Sequence, residues 1–172
     1  IMTDTFKSGY ASIIGRPNVG KSTLLNRLLM QKVAVTSRRP QTTRNKITGV
    51  LHLPNAQIIL VDTPGIHQSE RTLNEMMVRT SVSTFSDVDL ILMMLSADAG
   101  FCEEDEFVLK SMKQVKTKKV LVVNKIDLVE KPILLSLMDE MNKKSLFEEI
   151  IPISALKEDG LEQLKNLILK YL

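Results

Sequence analysis

Cysteine occurs once in the chain, at Cys102, which excludes an internal disulfide and suits a reducing compartment. No apolar run approaches the length of a membrane span, and no signal-peptide pattern opens the sequence, although Ile1-Met2 does not read as a natural start. Internal repeats and low-complexity segments are missing too. His52 and His67 stand too far apart to suggest a metal pair, and no Ser/His/Asp or Cys/His arrangement points to nucleophilic catalysis. The most telling deficit is of acid. Between Asp4 and Asp62 there is none, so residues 1–61 carry nine Lys/Arg against one carboxylate, a net +8, while the remainder carries −5. A basic, acid-free first third favours a polyphosphate ligand or nucleic acid, and charge alone does not separate the two.

What is present fits one α/β domain over residues 1–172, with 44% hydrophobic and 25% charged residues. Short β-branched runs predict strands at Tyr10–Ile14, Ile47–Leu53, Ile58–Val61, Val88–Leu95, Val120–Val123 and Ile150–Ile153. Most are nearly all apolar, as strands covered on both faces are. Longer amphipathic stretches predict helices at Lys21–Met30, Leu73–Phe85, Glu103–Lys116, Ile133–Lys143 and Leu161–Tyr171. The alternation implies a mostly parallel six-stranded sheet with helices on both faces. Glu103-Glu104-Asp105-Glu106 reads as a solvated helix start whose charges oppose the dipole. Lys32–Lys46 and Pro64–Arg71 fit neither period and read as functional loops.

Gly15-Arg16-Pro17-Asn18-Val19-Gly20-Lys21-Ser22 matches G-x-x-x-x-G-K-[ST] directly after a predicted strand and opening a predicted helix. Glycines let such a loop wrap a phosphate with backbone N–H groups at a helix N-terminus. Lys21 would reach the β- and γ-phosphates and the Ser22 hydroxyl would ligate Mg²⁺, with Thr23 beside it. The run Asp62-Thr63-Pro64-Gly65-Ile66 ends the third predicted strand. There Asp62 would hold Mg²⁺ through water and the Gly65 N–H would meet the γ-phosphate. Alone it is a good turn sequence; its meaning comes from the loop at Gly15.

Asn124-Lys125-Ile126-Asp127 follows the fifth predicted strand. A carboxylate at Asp127 can accept both N1–H and N2–H of guanine, whereas adenine presents an acceptor at N1 and leaves it unpaired. The Asn124 amide can bridge toward N7 and hold the loop, and the Lys125 stem can lie along the ring face. Ser154-Ala155-Leu156, after the sixth predicted strand, would bring the Ala155 N–H to guanine O6. All four elements fall at carboxyl ends of predicted strands, where open α/β sheets bind ligands.

With these residues placed, the chain resembles the Era family of translation-factor-class P-loop GTPases. The segments carrying the resemblance are GRPNVGKS, Pro40-Gln41-Thr42-Thr43-Arg44, Asp62-Thr63-Pro64-Gly65-Ile66-His67 and NKID. Der and MnmE G domains have similar loops and stay open as alternatives. The resemblance implies a GTP-hydrolysing switch acting in small-ribosomal-subunit assembly on 16S rRNA. It also implies a cytoplasmic monomer, with peripheral association at the inner membrane as a further option. The family's C-terminal KH domain, which binds ribosomal RNA, would follow these 172 residues, so they read as the G domain only. Lys21, Thr43 and Gly65 would carry catalysis, with Thr43 rather than Thr42 closing over Mg²⁺ and the γ-phosphate. Ile66 stands where Ras-like proteins carry a water-orienting glutamine, so slow intrinsic turnover is expected, or a binding module whose hydrolysis is negligible without a partner. Asn18 matches the position that holds a bridging K⁺ in some members.

Overall fold

In a computed structural model of the chain, residues 5–29, 46–62 and 85–172 are described here, without the side chains of 46–48 and 62. The loop segments 32–45 and 64–71, and all of the predicted helix Leu73–Phe85 except Phe85, lie outside them. Six strands form one sheet: β1 (Lys7–Ile14), β2 (Lys46–Leu53), β3 (Ala56–Asp62), β4 (Leu90–Ser96), β5 (Lys118–Asn124) and β6 (Glu149–Pro152). Their order is β2-β3-β1-β4-β5-β6. Only β2 runs antiparallel to its neighbour, and β1, β3, β4, β5 and β6 are mutually parallel. Four helices are described: α1 (Lys21–Leu29), α2 (Glu103–Met112), α3 (Lys131–Asn142) and α4 (Leu161–Tyr171).

The central strands explain why the sequence reads as continuous apolar runs rather than alternation. Every residue of β4, Leu-Ile-Leu-Met-Met-Leu-Ser, is buried. Leu90, Leu92 and Met94 join a core with Leu24 and Leu28 of α1 and Leu161, Leu164 and Ile168 of α4. Ile91, Met93 and Leu95 face the other way, onto Val108, Leu109 and Met112 of α2 and Leu137 and Met141 of α3. Period-two pleating thus distributes one apolar run between two helical layers.

The structure trims or extends several predicted elements. Predicted to run to Lys116, α2 stops at Met112, because the Val115 N–H turns back onto the Met112 carbonyl at 3.1 Å and the Val115 side chain is buried. Strand β5 starts two residues earlier than predicted and contains a buried lysine. Lys119 donates its ammonium to the carbonyls of Val115 and of Thr117 (2.8 Å), and burial holds its pKa below the ordinary lysine value. The predicted strand at Val88 begins at Leu90 instead. Asp89 is occupied in a reciprocal tie, accepting the Tyr10 N–H at 2.8 Å and donating its own N–H to the Tyr10 carbonyl at 2.9 Å. At the opposite end of the sheet the carboxyl ends of β1, β3, β4, β5 and β6 line up, and β1 is the strand at which the connections diverge to either side. That is the crevice position expected of a ligand site in an open α/β sheet.

Candidate functional site

Residues 15–20 form the loop between β1 and α1. Gly15 is pressed against β4, since a Cβ there would lie 2.8 Å from the Met94 carbonyl oxygen. Asn18 (φ 67°) and Gly20 (φ 102°) adopt left-handed backbone, which curls the chain before the helix starts. A Cβ on Gly20 would also run into Asn124 Nδ2, so any side chain there collides with the neighbouring loop. Helix α1 then begins with the Leu24 N–H on the Gly20 carbonyl at 3.0 Å. The first-turn N–H groups of a helix point away from its body and, with the dipole, favour an anion at that end. The Lys21 ammonium folds back over this loop, donating to the Gly15 carbonyl and, at 3.4 Å, to that of Arg16. Ser22 is exposed in the first helical turn and Thr23 is half-buried beside it.

The second loop leaves β5 at Asn124, which is 2% exposed and ties three segments together. Its Nδ2 donates to the Val19 carbonyl at 2.9 Å, and its Oδ1 accepts the Ala155 N–H at 3.0 Å. Its backbone carbonyl accepts the Ala97 N–H at 2.8 Å. Lys125 takes left-handed backbone (φ 61°) and places its ammonium 2.7 Å from the Asn18 carbonyl, so its stem spans the two loops. Asp127 follows in a short 3-10 turn over Ile126–Leu128. Its Oδ1 accepts the Ser154 hydroxyl at 2.7 Å, and that hydroxyl oxygen accepts the Lys157 N–H at 3.1 Å. Buried Ser154 therefore aims the exposed Asp127 carboxylate. Ala155 is buried, and Leu156 is exposed with its carbonyl accepting from Arg27 at 3.3 Å.

Gly15–Thr23, Asn124–Asp127 and Ser154–Leu156 thus meet on one side of the sheet, joined by direct hydrogen bonds. Asp62 closes β3 in parallel register with Ile13, so its backbone lies beside the start of the loop over residues 15–20. Thr43, Thr63, Pro64, Gly65 and Ile66 fall outside the described residues. Two placements refine the sequence reading. Arg16 directs its side chain onto α2, with Nε 3.2 Å from Asp105 Oδ2. Asp105, expected in solvent with its acidic neighbours, is fully buried and also accepts the Cys102 N–H at 2.9 Å. The spacing of a capping box, Cys102 to Asp105, was the available signal, because it turns the third side chain back toward the helix start. Burial pushes the Asp105 carboxyl up from its ordinary value, with the Cys102 N–H and Arg16 pulling it back. At the end of β4 the Ser96 hydroxyl donates to Asp98, which, with the nearby Lys125 charge, holds that carboxyl below its usual value.

Asn124 links all three loops. Asn124→Ala leaves the Val19 carbonyl and the Ala155 N–H without their partner, at about 1–3 kcal/mol for each stranded group. The expected result is a melting temperature lower by roughly 5–15 °C. A calorimetric scan that matched the parent would contradict this role.

The family model described as 50S ribosome-binding GTPase matches residues 10–125. The chain belongs to that GTPase family. It is 49% identical over 167 residues to GTPase Era of Syntrophus aciditrophicus, a match covering 97% of this chain and 55% of that protein. Two solved structures are similar at 43% identity. One is Era of Aquifex aeolicus bound to GDP·AlF4⁻, with a TM-score of 0.78, covering 96% of this chain and 57% of that one. The other is Era with MgGDPNP and nucleotides 1506–1542 of 16S ribosomal RNA, with a TM-score of 0.79, covering 97% and 57%. The chain therefore spans about half the length of these relatives.

Proposed function

We propose that these residues form the guanine-nucleotide-binding and GTP-hydrolysing domain of an Era-type switch acting on 16S rRNA of the small ribosomal subunit. The observation that carries it is the direct hydrogen bonding of the phosphate loop to the loop bearing Asp127, whose carboxylate Ser154 holds. A base at Asp127 and a phosphate chain on the N-terminus of α1 are then two ends of one ligand. GTP and GDP fit this pairing, and ATP would set its N1 acceptor against the Asp127 carboxylate.

Mg²⁺ suits the residues present. Exposed Ser22 at the start of α1 offers a hydroxyl beside the phosphate loop, and Asp62, whose backbone closes β3 in register with Ile13, would supply a carboxylate. When bound, the ion neutralises charge on the β- and γ-phosphate oxygens. Lys21 supplies the further positive charge, moving from the Gly15 and Arg16 carbonyls to the phosphates. Loop N–H groups stabilise the charge that develops there. Thr43 would close over the γ-phosphate and Gly65 would present its N–H to it, so both contacts would form with GTP and be lost on hydrolysis. With Ile66 in place of a polar side chain, turnover is slow. A multiple-turnover phosphate-release assay with GTP and Mg²⁺ tests the reading; GDP binding without any phosphate release would favour a pure binding module.

Potassium is a further element of this proposal. Asn18 is exposed in left-handed backbone at the loop's outer bend, where its side chain could hold a cation against the phosphates. Turnover is expected to be several-fold faster in K⁺ than in Na⁺ at equal ionic strength, and equal rates would end the idea. For rRNA, we place the main contacts in a KH domain beyond the matched region. The 172 residues alone are then expected to bind GTP while retaining little affinity for the 16S rRNA 3′ segment. Tight binding of that RNA by these residues would relocate the contact to the GTPase domain.

A further inference from the structure

We propose that Asp105 and Arg16 form a positioning pair for the phosphate loop, fixing the Gly15–Arg16 stretch against α2 so that the loop keeps its aim at the nucleotide's phosphates. The proposal rests on the guanine-nucleotide reading above and adds to it a residue outside every loop that touches the ligand.

Arg16 is the second residue of the loop, and its Nε reaches Asp105 Oδ2 at 3.2 Å. The same oxygen accepts the Cys102 N–H at 2.9 Å, so one atom joins the phosphate loop to the N-cap of α2. Helix α2 is itself anchored through Val108, Leu109 and Met112, which share a core with Ile14 at the end of β1. The clamp thus ties the loop to a packed layer rather than to another loop. On the loop's other side, the carbonyls of Gly15 and Arg16 receive the Lys21 ammonium. A displacement of Arg16 would carry the Lys21 contact with it.

The other acids of the tract behave differently. Glu103 and Glu104 are exposed, and Glu106 pairs at the surface with Lys144 at 3.6 Å. Asp105 alone is fully buried. A buried ion pair gains little net stability, because desolvation offsets attraction, but it fixes one geometry. Burying a carboxylate beside a phosphate site is costly unless the site gains from that geometry.

The test is equilibrium binding of GDP and of IDP, which lacks the exocyclic amine, to the 172-residue protein. Arg16→Ala and Asp105→Ala are each expected to raise both dissociation constants about tenfold, leaving the GDP-to-IDP ratio unchanged because the Asp127 loop is untouched. The double variant is expected to be no worse than either single one. Asp105→Asn keeps the shape and an acceptor oxygen, and serves should alanine fail to fold; a smaller loss with the same constant ratio is expected. Ile168→Ala, a cavity at the far end of α4, is expected to lower the melting temperature without moving either constant. Wild-type binding with unaltered variants, or a shifted GDP-to-IDP ratio, would overturn the pair's role. Wild-type protein that bound neither nucleotide would overturn the nucleotide reading instead, and this one with it.

Discussion

Asp127→Ala is expected to weaken GTP binding by about 10²–10⁴-fold and to erase the preference for guanine over adenine. The size of the effect follows from the hydrogen-bond inventory of the base edge. In the proposed complex guanine would point two donors, N1–H and N2–H, at Asp127, and a carboxylate accepts both without needing a proton of its own. Ser154 holds one carboxylate oxygen at 2.7 Å, and Lys157 in turn orients the Ser154 hydroxyl, so the acceptor is set before the base arrives. Alanine would leave both base donors unpaired inside the complex. Asp127→Asn provides the sharper experiment. An amide offers one acceptor and one donor, which matches the N1–H and O2 of xanthine and opposes the N2–H of guanine. The asparagine variant is therefore expected to bind XDP better than GDP, reversing the parent's order. An asparagine variant that held GDP as tightly as the parent would show that the carboxylate does not meet the base.

Lys21→Ala is expected to cut GTP turnover by about 10²–10³-fold, the scale of losing one charged donor at developing phosphate charge. Its ammonium rests on the Gly15 and Arg16 carbonyls, inside the curl of the loop, so it sits where the β- and γ-phosphates would lie. The effect should fall more on turnover than on GDP affinity, because negative charge builds on the β–γ bridging oxygen of the leaving GDP only as the bond breaks. Single-turnover phosphate release set beside GDP binding separates the two. An equal loss in both would assign Lys21 to ground-state binding alone.

Much of the fold is legible in the sequence, and the reason is physical. Strands covered on both faces must be apolar throughout, so β4 and β5 announce themselves as runs. Loops that wrap phosphates need glycine at fixed places, so Gly15 and Gly20 are diagnostic once a strand precedes and a helix follows. Ends of elements were less legible. The apolar period of α2 continues to Val115, and only the turn onto Met112 reveals that the helix has already stopped. Lys119 looks like a strand boundary in sequence, yet it is buried in β5 because two carbonyls near the end of α2 receive its charge. Asp105 was hidden among four consecutive acids that share one composition and differ only in which face of α2 they occupy. Asn124 was placed in the site from its position, but its tie to both Val19 and Ala155 depends on two loops distant in sequence meeting in space.

Competition of GDP and ADP, in the presence of Mg²⁺, for a single fluorescent GDP bound to this protein tests the central claim most directly. Displacement by GDP at stoichiometric levels, with ADP inert at a large excess, is the expected result. Equal displacement by both nucleotides, or none by either, would mean that the phosphate loop and the Asp127 loop do not share a guanine nucleotide.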